Sequence, residues 1–369
     1  MTETEKKKGL LNFWPFKKKE KVQKSKGKEW LDSIVFAVLA ATFIRWLAVE
    51  AFTIPTPSME SSLLVGDFLF VSKLHYGPRT PKTPLQLPLT HQKVWGTDLP
   101  SYLTWVQLPQ FRLPGFSSVK RNDVVVFNYP TELQYPVDLK TNYIKRCVAV
   151  GGDTLEVREG DVYVNGAYSS FPQKAEIQFN YLLQTQRVIS KRKFSEWEIS
   201  EFNRTQNGYL VRTTVETADK LLDSKFIESV QKILVPKGRP DIRVYPFDPN
   251  LTWNQDNYGP LVIPKEGSTW KVDRDFVYRY GIVLKDYEGL DNVEVGEDFI
   301  KVDGKPIESY TFKQNYYFMM GDNRHNSLDS RFWGFVPEDH VVGKALLIWN
   351  SIDYDKPAIR FNRLFSLIE

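Results

Sequence analysis

One cysteine, Cys147, occurs in 369 residues. A single thiol excludes an intramolecular disulfide and any cysteine-based metal cluster, and it leaves the redox compartment undetermined. The four histidines, His75, His91, His325 and His340, lack metal-ligand spacing, so no metal is expected. Glycine-rich phosphate-binding patterns of the GxGxxG and P-loop types are missing as well, and no cofactor is expected. Beyond residue 52 there is no second apolar stretch of 18 residues, which limits the chain to one expected membrane span.

Positive charge is scarce outside one short segment. The formal net charge is +4, but residues 1–29 hold ten lysines against Glu3, Glu5, Glu20 and Glu29, a local net of +6, which leaves −2 for the rest. A nucleic-acid binder carries its basic stripe on the folded part, so nucleic acid is not an expected partner. The 42% hydrophobic content permits a sizeable core, and 14% aromatics with 22 prolines and 21 glycines suit a strand-rich fold with many turns.

The basic tail, 1–29, is followed by an apolar segment, 30–52. Its uninterrupted apolar run, Ile34 to Ile44, is too short for a bilayer; including Trp46 to Val49, Trp30 and Leu31 reaches about 20 residues, with Arg45 tolerated near the far interface. A buried amphipathic helix and a cleavable leader are the alternatives, and no convincing small-x-small cleavage pattern follows. If the segment spans, the lysine flank stays cytoplasmic and everything after residue 52 lies on the outer face.

Alternation with a period of two marks DFLFVSKL, DVVVFNY, YIKRCVAV, TLEVREGDVYVNG, FIKVDGKPI, NYYFMMGD and GKALLIWN as strands. They place a β catalytic domain over 53–166 and 260–369, interrupted by a proline-rich loop, 77–120. Residues 167–259 read as a mixed α/β insertion or cap, with helical signals in SEWEISEFNR and ETADKLLDSKFIESVQKIL. Asp153–Gly166 and Asp291–Gly304 echo one another, each ending in an Asn-Gly or Asp-Gly hairpin signal.

Three features carry chemistry. Ser58 lies just beyond the apolar segment in Ile54-Pro55-Thr56-Pro57-Ser58-Met59, where a turn role is the ordinary reading for a serine between such neighbours. Lys145 sits inside the strand-like Tyr143-Ile144-Lys145-Arg146. Facing water it would do nothing special; buried, it would lose ammonium character and become a base able to take a serine's proton without any histidine. The polar run from Gly321 to Pro337 lies between two apolar strands and suits either a solvated loop or a connected hydrogen-bond network.

Taken in order, PTPSM, GDFLFVSK, NDVVVFNYP, YIKRCVAVGGD and GDNRHNSLDSRFWGFVP, behind a membrane-type anchor, resemble the sequence boxes of the bacterial type I signal peptidases. The resemblance covers the anchor and roughly residues 52–76, 121–166 and 290–350. It implies a mainly β, signal-peptidase-like catalytic domain with an N-terminal transmembrane helix and the α/β insertion. It further implies a membrane-bound serine endopeptidase that cleaves N-terminal signal peptides from translocated secretory preproteins at the outer face of the cytoplasmic membrane. Its partners would be those preproteins and the lipid bilayer.

Matched residue by residue, the resemblance makes Ser58 the nucleophile and Lys145 its general base. Ser327 would orient the lysine amine, and Thr56 would supply an oxyanion donor beside the Ser58 N–H. Arg146, Asp322, Asp329 and Arg331 would support the site, and Phe52, Ile54, Met59, Leu63, Tyr143 and Ile144 would line the substrate cleft; apolar side chains of this kind also suit a core. His325 departs from the aspartate many members have there, and Thr56 from their usual serine. The remaining readings are a self-cleaving regulator of the same Ser/Lys class and a noncatalytic membrane-tethered assembly protein. The first would carry a DNA-binding helical domain in place of an anchor, and intact Ser58 and Lys145 argue against the second.

Overall fold

A computed structural model describes residues 25–354 and 356–369. Most of the basic tail, residues 1–24, lies outside the described residues. The chain divides into two compact units, 1–43 and 44–369. Among the described residues one helix, α1 (Lys26–Leu47), is long and apolar enough to cross a membrane, and none of its residues is buried.

The expected apolar segment runs to Phe52, but α1 stops at Leu47. Val49–Thr53 instead forms strand β1, paired antiparallel with β2 (Asp67–Ser72) from Val49↔Ser72 to Thr53↔Phe68. The ladder satisfies backbone groups that a further helical turn would otherwise occupy. Arg45, in the last turn of α1, donates from Nε to Glu50 Oε1 at 2.6 Å.

The fold is mainly β, in agreement with the sequence. The principal sheet runs β1, β2, Val341–Asp353, β3 (Val124–Asn128), β4 (Asn142–Ala149), Tyr316–Met320 and Val336–Pro337, all antiparallel. Strand β3 is buried on both sides, and its alternation splits two cores. Val124 and Val126 join Ile54, Met59, Leu63, Leu69 and Val71, whereas Val125 and Phe127 join Cys147, Met319 and Trp333. The two echoing segments are hairpins. Asn165 (φ 53°) with Gly166 (φ 83°) and Asp303 (φ 50°) with Gly304 (φ 75°) turn the chain through two left-handed residues each, which explains the Asn-Gly and Asp-Gly pairs.

Within the inserted region a second sheet has the order Ile227–Lys232, Gln178–Thr185, Gly208–Thr214, Phe202–Thr205. Helices Lys191–Glu196 and Val215–Leu222 accompany it, each N-capped by a hydroxyl, from Ser190 and Thr214. It has its own core, including Phe179, Leu183, Phe194, Val211 and Leu221. Two helical expectations are corrected here. SEWEISEFNR leaves the helix after Glu196, Glu198 takes φ 57°, and Phe202–Thr205 pairs with Gly208–Val211 as an edge strand. In ETADKLLDSKFIESVQKIL the helix ends at Leu222 and Ile227–Lys232 pairs with Gln178–Thr185.

A helix that the strand pattern did not reveal, Arg274–Tyr287, is capped by Asp273, whose side chain accepts from Phe276 N. It buries Phe276, Val277, Tyr280, Val283, Leu284 and Tyr287 in a core shared with Leu155, Val157 and Phe335.

Candidate active site

Ser58 occupies a single 3-10 turn, Pro57–Met59, entered from an extended Thr56 (φ −132°, ψ 151°) and closed by Glu60 N donating to Pro57 O at 3.0 Å. Proline at the first helical position has its φ preset for such a turn. Buried Ile54, Met59 and Leu63 pin the turn from below. Opposite it, β4 lies in the middle of the sheet with Val125↔Lys145 on one side and Met320↔Arg146 on the other, so neither side chain can swing away with a loose loop.

These elements bring the Lys145 amine to 2.6 Å from Ser58 Oγ, although the residues are 87 positions apart. The amine also donates to Ile144 O at 2.9 Å, and Lys145 is 4% exposed. Burial pushes its ammonium down to about 8, against the opposing attraction of Asp329 and Asp322. At such a value about one amine in ten is neutral at pH 7, far more than for an ordinary lysine, and the neutral form can accept a hydroxyl proton.

Around the pair, the polar run is a buried network and not a solvated loop. Arg146 donates to Asp322 from Nε (2.9 Å) and Nη2 (2.7 Å), and its Nη1 is held by the carbonyls of Asn122 and Glu369. Arg331 donates to Asp329 from Nε (2.9 Å) and Nη2 (2.8 Å), and Gly321 N donates to the same carboxylate at 3.0 Å. Burial raises the Asp329 carboxyl, but the Arg331 guanidinium and its hydrogen bonds outweigh burial and hold it below its ordinary value.

Ser327 does not make the expected hydrogen bond to the lysine amine. Its Oγ is buried without a hydrogen-bond partner, and the amine donates to Ser58 Oγ and Ile144 O. Thr56 is exposed and makes no capping bond with its side chain. The six apolar positions separate into two sets. Ile54, Met59 and Leu63 are fully buried core, whereas Phe52, Tyr143 and Ile144 are half-buried at the edge of the two cores.

The His325 imidazole is also enclosed, its side chain 2% exposed. Its Nδ1 accepts from Asn180 N at 3.0 Å, which leaves the proton on Nε2, 2.8 Å from Asp256 Oδ1. The histidine therefore ties the polar run to the inserted sheet.

Sequence reasoning missed Gly321 and Asn323. A β-carbon on Gly321 would lie 2.5 Å from the Ser58 carbonyl oxygen, and Asn323 donates to the same turn, from N to Ser58 O (3.2 Å) and from Nδ2 to Pro57 O (3.1 Å). Both stand in the GDNR stretch, which was the available signal. No group of three or more histidines, cysteines or carboxylates able to hold a metal occurs among the described residues.

Comparison with known proteins follows the same line. A family model described as "Signal peptidase, peptidase S26" matches residues 27–235 and 283–350. Signal peptidase I of Buchnera aphidicola from Acyrthosiphon pisum is 27% identical over 360 residues, covering 94% of this chain and 85% of that protein. Signal peptidase I of Haemophilus influenzae is 24% identical, covering 94% and 77%, and that of Aquifex aeolicus 26%, covering 88% and 84%.

Proposed function

The chain belongs to the peptidase S26 family of signal peptidases, and from that premise we propose that Ser58 and Lys145 form its catalytic dyad and that α1 tethers it to the cytoplasmic membrane of a bacterium. The observation that carries the reading is the 2.6 Å separation of a buried lysine amine and a serine hydroxyl. Neutral Lys145 accepts the Ser58 Oγ–H proton as Oγ attacks the scissile carbonyl of a preprotein. The Ser58 N–H and the Thr56 hydroxyl stabilise the oxyanion, a contribution of about 100- to 1000-fold in rate per donor. Lys145 then passes its proton to the departing amine, leaving an acyl group on Ser58. Water then attacks the acyl carbon while giving a proton to the Lys145 amine, which returns it to Ser58 Oγ as the acyl bond breaks and the signal peptide leaves with its new carboxylate.

Phe52, Tyr143 and Ile144 bound the apolar approach to this centre and favour small side chains at the first and third positions before the cut. Arg146–Asp322 and Asp329–Arg331 hold the surrounding frame. With the lysine-rich tail cytoplasmic, the catalytic domain faces outward. Full-length protein in phospholipid vesicles is therefore expected to cut a secretory precursor after an Ala-x-Ala site and to spare the same precursor with leucine at the last position. Equal cutting of both precursors contradicts the reading.

The pH dependence has a definite sign. The base works only when unprotonated, so kcat/KM rises with pH, at unit slope, through a midpoint near the about 8 to which burial lowers Lys145. A profile that climbs only near the 10.5 of an unperturbed lysine would remove Lys145 from the reaction.

A second contact with lipid is supported by the proline-rich loop. It folds back on itself through pairings of Arg79 with Arg112, Gln86 with Tyr102 and Lys93 with Pro100. Residues 85–116 carry only Lys93, Asp98 and Arg112 as charges. Trp95, Trp105, Phe111 and Phe116 are 62–83% exposed there, a composition suited to the headgroup boundary. The root of the loop is bonded to the end of α1, where Trp46 Nε1 donates to Arg79 O at 2.8 Å. The sole native thiol, Cys147, is buried and its pKa raised, so Trp105→Cys offers a unique labelling site. A nitroxide placed there in vesicles is expected to meet oxygen more readily than a water-soluble nickel chelate; preferential contact with the chelate rejects lipid contact.

A further inference from the structure

The three residues that follow the Ser58 turn, Glu60, Ser61 and Ser62, are each bonded to the inserted region. Glu60 Oε1 accepts from Ser200 Oγ at 3.2 Å. Ser62 Oγ accepts from Glu176 N at 2.9 Å and donates to Asp322 Oδ2 at 2.6 Å. Between them, Ser61 Oγ accepts from Gln178 Nε2 at 2.6 Å.

Ser61 has φ 68°, a left-handed conformation that a residue with a β-carbon adopts at a cost. Gln178, 2% exposed, is the first residue of the strand Gln178–Thr185. Its backbone is engaged by the opposite side of the site: Gln178 N donates to Asp322 O (2.9 Å), and Arg324 N donates to Gln178 O (3.0 Å). One buried residue of the insertion thus holds the segment after the nucleophile with its side chain and the Asp322–Arg324 segment with its main chain.

We propose that Gln178 is a positioning residue for the reaction: by holding Ser61 left-handed it sets the Ser58 turn against Lys145 and makes the inserted sheet a working part of the active site. The inference rests on the Ser58–Lys145 dyad proposed above. Without the amide, Ser61 relaxes, Ser58 Oγ drifts from the amine, and water reaches Lys145. Two effects follow together: slower chemistry and a less depressed lysine.

The variant for the test is Gln178→Met, which keeps the volume and the main-chain bonds. It also removes Gln178 Oε1, a buried oxygen without a hydrogen-bond partner, so the thermal midpoint is expected to stay close to that of the wild type. Cleavage of the precursor is expected to fall on the order of 10- to 100-fold, in kcat far more than in KM. The acid limb of kcat/KM is expected to move to higher pH than in the wild type. Adding Ser61→Gly is expected to restore most of kcat, because glycine takes a positive φ without the bond.

Wild-type kcat and an unshifted acid limb in Gln178→Met, or no recovery on adding Ser61→Gly, overturn the proposal. Ser58→Ala separates the two readings. If it is inactive while Gln178→Met is fully active, only the positioning role is lost; if Ser58→Ala still cuts, the dyad itself falls.

Discussion

Lys145→Met is expected to end precursor cleavage while leaving the protein folded and more heat-stable at pH 7. Loss of the proposed general base alone is expected to remove about 100- to 10,000-fold, and Ser58→Ala, which takes away the proposed nucleophile, is expected to fall at least as far. The gain in stability has a separate origin. The fold lowers the Lys145 pKa from 10.5 to about 8, so between those values the unfolded chain binds more protons than the folded one. Stability therefore rises with pH across that window, and below it the folded protein bears the whole cost of a buried ammonium, about 3 kcal/mol. Methionine fills a similar volume without that cost. Scanning calorimetry of wild type and Lys145→Met at pH 7 and pH 10 tests this directly. The difference between them should shrink at the higher pH, and a variant less stable than wild type at both values refutes the account.

Asp322→Ala is expected to have the largest effect on folding. The mutation leaves the Arg146 guanidinium, 0% exposed, without its carboxylate, a penalty of about 3–5 kcal/mol. It also deprives Ser62 Oγ of its acceptor. Substitution of both partners by apolar residues, Arg146→Met with Asp322→Leu, should be less destabilising than Asp322→Ala alone, because no orphaned charge remains. Denaturant midpoints of the three variants give the comparison. Should the single substitution prove the milder one, the buried ion pair is not what holds the polar run in place.

The principal sheet was legible because strands buried on both faces read as short continuous apolar runs bounded by polar turn residues, VVVFN in β3 and YYFMM in Tyr316–Met320. The helix Arg274–Tyr287 was not read. Its apolar residues recur at helical spacing, but half of them are aromatic, and Gly281 and the interspersed charges obscure the pattern. The stretch after Glu216 misled for the opposite reason: Phe226, Val230 and Leu234 continue the four-residue apolar spacing of Ala218 and Leu222, and pairing of Ile227–Lys232 with Gln178–Thr185 decides the matter.

The site shows the same division. Ser58 and Lys145 could be singled out because the motifs around them occur in a fixed order. Neither the positive φ of Ser61 nor its bond to Gln178, 117 residues away, leaves a mark in composition or spacing. Ser327 lies in the expected loop, but its hydroxyl makes no hydrogen bond to the lysine amine, a matter of rotamer that spacing cannot reveal.

In the principal sheet, β2 and β3 do not touch; Val341–Asp353 lies between them and pairs with both. The serine comes in on the β1–β2 side and the lysine on the β3–β4 side, so a chain that has emerged only as far as residue 320 possesses both reactive groups without the seam that joins their sheet halves. The pairing of those two halves is thereby deferred to the last stage of synthesis.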